Sequence, residues 1–197
     1  LPICYFEQPE IMSEHLKAKG YHCPVAIHYD DLPENVTVKE LFGTMRKDDV
    51  IAHVFQTKAE TIFDENGKIK DCVWDAKKRG VYMDDCHGRV HWSYPNLQNA
   101  FSQSFYPDII SSDLVRVSEY TRPGFSLLYA MSVNSAAGMP TEKILQSVTY
   151  TPAKSLGIEE KAGVIREGAP ADVAILDIRD VKDKTFTDNY GNSVSGN

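Results

Sequence analysis

Three histidines and an aspartate stand where four short apolar runs end, and residues of these types can bind a metal ion or move a proton. The runs are Val25-Ala26-Ile27-His28, Val50-Ile51-Ala52-His53, Val81-Tyr82-Met83-Asp84 leading to His87, and Asp108-Ile109-Ile110-Ser111-Ser112-Asp113. In a parallel sheet whose strands feed helices, all carboxyl ends lie on one face, so residues far apart in sequence converge there. Histidine fills only 6 of 197 positions, and its recurrence at three of these ends argues for one shared site.

Imidazoles projecting from neighbouring strand ends suit a divalent metal. The competing reading of His28 and His53 is a pair of strand-terminal histidines satisfied by backbone partners. Their conjunction with Asp113 favours ligation. Asp113 is also the candidate for proton transfer, because a carboxylate beside a metal and its water can accept a proton and pass it to a leaving group. It could equally cap a helix. Cys86 raises the question of a cysteine nucleophile, but adjacent residues on an extended chain point apart, and Cys86 neighbours His87. Similar reasoning weighs against Asp84 and Asp85 as paired glycosidase acids. Asp30 and Asp31 read as the start of a helix. Arg116 and Arg122 follow the fourth run, where a guanidinium fork suits a substrate carboxylate, although solvated loop charges are commoner. Serine-hydrolase, nucleotide-loop and zincin motifs are absent from the sequence.

The elements that must position these residues alternate. Residues 9–19 read as a helix with Pro9 in its first turn and Gly20 as its stop. A buried strand is expected over 24–28, a helix over 35–47 and a strand over 50–55. Asn66-Gly67 between apolar positions predicts a hairpin insertion rather than a calcium loop. A helix over 71–79, ended by Gly80, leads to a strand over 81–84. Helix 95–105, strand 108–113 and helices near 125–137 and 141–150 follow. The character changes at Thr151-Pro152-Ala153, and the glycine-bounded run 163–177 predicts a turn and then a strand. The polar tail 183–197 reads as disordered or awaiting partner strands.

A net charge of −7 without a Lys/Arg cluster excludes nucleic acid and anionic membrane as main partners. A small neutral or modestly charged substrate is expected. No run approaches the ~18 apolar residues of a spanning helix. Four cysteines without a CxxC motif fit free thiols in the cytoplasm. Both ends read as cuts, and a complete eight-stranded barrel would need roughly 250 residues.

The run Gly-Val-Ile-Arg-Glu-Gly-Ala-Pro-Ala-Asp-Val-Ala-Ile-Leu-Asp at 163–177, preceded by Thr-Pro-Ala-Lys-Ser-Leu-Gly at 151–157, resembles the junction of amidohydrolase-superfamily metal hydrolases. There the last barrel helix returns into a small β-sandwich. His53 followed by the Asp-Glu-Asn-Gly hairpin, His87-Gly88, Ser112-Asp113-Leu114 and Gly138-Met139-Pro140 narrow the resemblance to the amidohydrolase/deacetylase branch, near dihydroorotase-like enzymes. The likeness runs from about residue 9 to 180. It implies that His28, His53 and Asp113 are the metal ligands of the fifth, sixth and eighth strands, and that His87 faces the substrate. The family's first-strand His-x-His and its carboxylated fourth-strand lysine have no counterpart here, and their strands are expected upstream of Leu1. Arg89-Val90-His91-Trp92 after Gly88 is bulkier than the glycine-rich segment of the family.

The expected fold is α/β: the carboxy-terminal half of a (β/α)8 barrel, strands five to eight, over residues 1–150. Residues 151–197 would hold the last barrel helix and the start of the β-sandwich. The expected activity is metal-dependent hydrolysis of an amide or ester in an N-acyl amino acid or small acylated acid. Zinc is the expected ion, binuclear in the complete enzyme, with Asp113 as catalytic base and His87 and Arg122 at the substrate. The missing half-barrel is the expected partner, a homo-oligomer is compatible with the chain, and the chain by itself is expected to be inactive. Two alternatives stand: a cyclic-amide hydrolase of dihydroorotase type, and a non-catalytic homologue that uses its surface for interaction.

Overall fold

The structure is a computed structural model and describes residues 3–4, 24–30, 32, 36–58, 60–119, 121 and 126–196. Four short strands, β1 (Ile3–Cys4), β2 (Ala26–His28), β3 (Val50–Ala52) and β4 (Tyr82–Asp84), form one sheet in sequence order. Every pairing is parallel: Ala26 lies opposite Val50, and Val50 opposite Tyr82. The alternation of strand and helix expected from the sequence is therefore present. The expected helix 9–19 lies outside the described residues, and β1 was not anticipated.

Helix α1 (Val38–Thr44) starts where Thr37 and Glu40 cap each other reciprocally, satisfying amide donors that a first helical turn leaves unpaired. Val38, Leu41 and Phe42 face the core. Helix α2 (Asp71–Arg79) ends at Gly80 as expected. Arg79 in its last turn donates to the carbonyls of Phe42 at 2.6 Å and Met45 at 3.3 Å. The carbonyls at the end of α1 are thus covered by a neighbouring helix. The hairpin insertion forms between them, with Phe63 bridging Ile69 in antiparallel sense. Helix α3 (Tyr94–Ser102) is capped by Ser93.

At the amino ends of the strands the chemistry is structural. The buried carboxylate of Asp49 accepts from the Val25 amide at 2.9 Å, the Arg46 amide at 2.8 Å, and Arg46 Nε and Nη2 at 3.0 and 2.9 Å. This bidentate, charge-assisted pair ties β2 to β3.

The expected strand 108–113 is reduced to a single parallel bridge, Asp84 to Ile109. The segment still runs beside β4, since the amides of Asp85 and His87 donate to the carbonyls of Ile109 and Ser111 at 3.0 and 2.9 Å. The ladder stops because the Ser111 amide donates to the Asp84 side chain at 3.1 Å, and the Ile110 amide to Ser147 at 3.1 Å. Helices α4 (Leu127–Ala136), α5 (Thr141–Val148) and α6 (Tyr150–Ser155) follow. The break at Thr149 has a local cause: Pro152 has no amide to return to the Val148 carbonyl.

Residues 163–178 do not form the expected strand. Ile165 and Ile175 are 89% and 95% exposed, and an extended segment becomes a strand only when a neighbour takes its hydrogen bonds. Gly163 is required at its place, since a Cβ there would lie 2.6 Å from the Thr149 carbonyl oxygen and 2.9 Å from Ala153 Cβ. The tail forms an antiparallel hairpin, β5 (Thr185–Thr187) and β6 (Ser193–Ser195). Phe186 is buried against Tyr129 with ring centroids 5.5 Å apart. No helix among the described residues is long and apolar enough to cross a membrane.

Candidate active site

The residues at the carboxyl ends of the strands sit on turned-out backbone. His53, directly after β3, has φ 64°, Cys86 has φ 38° and Asp113 has φ 43°. L-residues seldom adopt this left-handed region, and where they do the surroundings must hold them there. Such turns take the chain out of the sheet and turn its side chains toward a common point. His53 Nδ1 lies 2.8 Å from the Cys86 carbonyl oxygen, and His53 Nε2 lies 3.0 Å from His28 Nδ1. A carbonyl can only accept, so His53 carries its proton on Nδ1 and keeps the Nε2 lone pair. That lone pair accepts from His28 Nδ1.

Two overlapping groups of donors result. His28, His53 and His91 bring one ligand atom each within 4.8 Å of one another, and so do His53, Cys86 and Asp113. Burial pulls His53 down to about 3, with His91 and His28 adding to the effect. Burial also lowers His28, as does His91, against the opposing pull of Asp30 and Asp113. Both imidazoles are therefore neutral near pH ~7, the form that ligates a metal. Clustered neutral imidazoles with a carboxylate alongside fit a divalent transition metal, and zinc is a common choice for such donors.

Burial raises the Asp113 carboxyl above its ordinary range, against the pull of His91 and His28. Burial pushes the Cys86 thiol well above its ordinary value, which disfavours the thiolate a nucleophile would need. His87-Gly88 also has a steric basis. Gly88 has φ 53°, and a Cβ there would come within 2.6 Å of Asp113 Oδ2, so the glycine leaves room for that carboxylate.

Asp84 stitches this face together. Its Oδ1 accepts from the amides of Cys86 at 2.8 Å and Ser111 at 3.1 Å, and its Oδ2 from Ser111 Oγ at 2.7 Å. Burial pushes its carboxyl up to about 7 despite these donors. Asparagine at this position keeps Oδ1 for both amides and turns its amide toward Ser111 Oγ, whereas alanine leaves all three donors unpaired. Asp84→Ala is therefore expected to cost about 3 kcal/mol in denaturant melts and Asp84→Asn less than about 1. The pH dependence has a definite sign. The folded value exceeds the ordinary 3.8, so the Asp84 contribution is full below that value and is lost as pH rises through about 7. Asp84→Asn lacks this loss, and between about pH 4 and 8 it should gain on the wild type by an amount on the order of 2–4 kcal/mol.

His87 is placed deeper. Its ring stacks on fully buried Trp92, centroids 4.1 Å apart, and its Nδ1 lies 3.3 Å from Asp85 Oδ2. Asn134 Nδ2 donates to the same oxygen at 2.8 Å, while His87 Nε2 is buried with no hydrogen-bond partner among the described residues. Neither donor group includes His87. Arg122 lies outside the described residues, and Arg116 is exposed.

Two residues here escape the sequence reading. Asp30 does not begin a helix, since α1 starts at Val38. Its carboxylate instead accepts from Lys58 Nζ at 2.9 Å and faces His91 Nδ1 at 3.3 Å and His28 Nε2 at 3.9 Å. The Lys58 ammonium is the charge partner that allows a carboxylate to be buried there. His91 stands out in the sequence only as part of a bulky segment, although a second histidine four places after His87 is an available signal. A depression of about 650 Å³ between α4 and the β5–β6 hairpin is lined by none of the candidate ligands.

A family model described as Amidohydrolase family matches residues 8–196. The chain belongs to that family. The chain is 27% identical over 184 residues to a deacetylase of Enterococcus faecalis, covering 93% of this chain and 49% of the relative. The solved structure of an adenine deaminase superposes with a TM-score of 0.85 at 26% identity, over 95% of this chain and 50% of the other. A dihydroorotase structure gives a TM-score of 0.77 at 23% identity, over 96% of this chain and 49% of the other, a likeness of fold. This amidohydrolase-family chain spans about half the length of each.

Proposed function

We propose that the chain supplies strands five to eight of a (β/α)8 metal-dependent hydrolase, and that the complete enzyme cleaves an amide or ester in an N-acyl amino acid or a small acylated acid. The observation that carries this reading is that His53, just past the parallel strand β3, shares one group of possible ligands with His28 and a second with Asp113. The deacetylase relatives support an acyl substrate. The adenine deaminase likeness supports hydrolysis at a C–N bond more broadly. We assign residues 1–150 to the barrel portion and 151–197 to its last helix and the start of a β-sandwich, whose partner strands would cover the exposed Ile165 and Ile175. The free thiols of Cys72 and Cys86 support a cytoplasmic setting.

His28, His53 and Asp113 would hold the ion, zinc in this proposal, with a second ion in the complete enzyme. A metal bound there supplies Lewis acidity, polarising the scissile carbonyl and lowering the pKa of a water to about 7. Asp113 takes a proton from the attacking water and returns it to the leaving group. His87 is held by Asp85, which accepts at Nδ1 and leaves Nε2 to meet the scissile group. A proton on that same nitrogen would let it donate to a developing oxyanion. Arg122 is proposed as the partner of a substrate carboxylate.

Gly88→Ala in the complete enzyme should act through Asp113. The methyl group displaces the carboxylate, and turnover is expected to fall by about 10²-fold at a stability cost of about 1–2 kcal/mol. Steady-state kinetics and thermal melts on one preparation check both. The substrate class is tested by assaying the complete enzyme on N-acetyl amino acids, cyclic amides and adenine. Preference for the linear acyl compounds supports the proposal, and turnover confined to either other class overturns it.

A further inference from the structure

We propose that His91 is a metal ligand of this chain, completing with His28 and His53 a three-imidazole site for a divalent transition metal. This rests on the metal-hydrolase reading and adds to it a ligand that His28, His53 and Asp113 do not include. The ligand atoms of the three histidines lie within 4.8 Å of one another. The His91 ring stacks on His53 at 4.4 Å between centroids and stands 5.0 Å from His28. A cation there would take the Nε2 lone pair of His53 in place of the His28 hydrogen bond, with the His28 proton carried on Nε2 toward Asp30, and three imidazoles so placed suit zinc with one position left open.

The setting of His91 is that of a ligand. Its Nδ1 is buried, makes no aligned hydrogen bond, and lies 3.3 Å from Asp30 Oδ2. A carboxylate facing one ring nitrogen is the usual partner of a histidine that ligates through the other. Asp30 is itself anchored by Lys58. The backbone around His91 is held from several sides. The amides of His87 and Gly88 donate to Ser111 and Ser112 at 2.9 and 3.1 Å, and the Ser93 amide donates to Phe55 at 3.1 Å. The carboxy-terminal hairpin adds two clamps: Tyr190 Oη donates to the Val90 carbonyl at 2.7 Å, and Asp188 Oδ2 accepts from the Tyr94 amide at 3.0 Å. Trp92, next in sequence, is fully buried. The tail thus fixes the segment that presents His91, and such preorganisation favours binding.

All three imidazoles lie on this chain, so the chain itself can be tested. Chelator-treated protein is titrated with cobalt(II), and the ligand-field absorption band and affinity are recorded for the wild type, His91→Ala, His91→Asn, Asp30→Asn and His28→Ala, with circular dichroism on each. The expected result is a band in the wild type. In both His91 variants it shifts, with affinity more than about 10-fold weaker, and in Asp30→Asn affinity falls by about 10–100-fold, with secondary structure retained. His91→Asn guards against an alanine variant that misfolds. A wild-type band and affinity in a folded His91 variant, while His28→Ala loses both, overturns the role of His91 and leaves the metal reading standing. No cobalt band in the wild type overturns both.

Discussion

Replacing Asp113 with asparagine in the complete enzyme lowers kcat by about 10²–10⁴-fold and leaves the fold intact. The amide has the shape of the carboxylate but cannot take a proton and is a poorer ligand, so the substitution isolates chemistry from packing. Asp113 is half-buried on positive-φ backbone, a conformation asparagine tolerates well, and the local turn should survive. Stopped assays on a linear acyl substrate give kcat, and circular dichroism reports the fold. A near-normal kcat would remove Asp113 from the role assigned to it.

His53→Ala has the second largest expected effect. His53 is buried, holds its tautomer through the Cys86 carbonyl, and belongs to both groups of donors. Its loss takes a ligand from either possible arrangement and leaves that carbonyl without its donor. Turnover is expected to fall to the limit of detection, and metal affinity to that of a nonspecific surface site. Because burial disfavours the protonated ring, the alanine variant also loses less stability than the wild type on acidification. With a folded value of about 3 against an ordinary 6.5, the wild-type contribution is full above that ordinary value and is lost as pH falls toward 3. Urea melts of metal-free protein at about pH 7 and 5 measure this, and parallel pH dependence in both proteins would contradict it.

Much of this was legible in the sequence. Periodicity and caps marked α1, α2 and α3, and β-branched runs marked β2, β3 and β4, because each element is specified by its own residues. Strand 108–113 and the 163–177 run read as strands for the same local reason. Tertiary partners decided otherwise: the Asp84 side chain intercepts the Ser111 amide, and no neighbour pairs with residues 163–178 among the described residues. At the site, the sequence nominates His28, His53 and Asp113 because they end apolar runs, a one-dimensional signal. It does not nominate Asp30 and His91, because they meet only where the segments after β2 and after β4 come together, which spacing does not encode. Arg122 falls outside the described residues and keeps its proposed role untested.

The claim that hydrolysis here depends on a metal held by these strand ends is tested most directly by metal removal. The complete enzyme is stripped with a chelator, its metal per protomer is read by elemental mass spectrometry, and hydrolysis of an N-acetyl amino acid is measured before and after zinc is returned. The account predicts that activity falls in step with metal content and returns with zinc. Full activity in protein stripped of metal would contradict it.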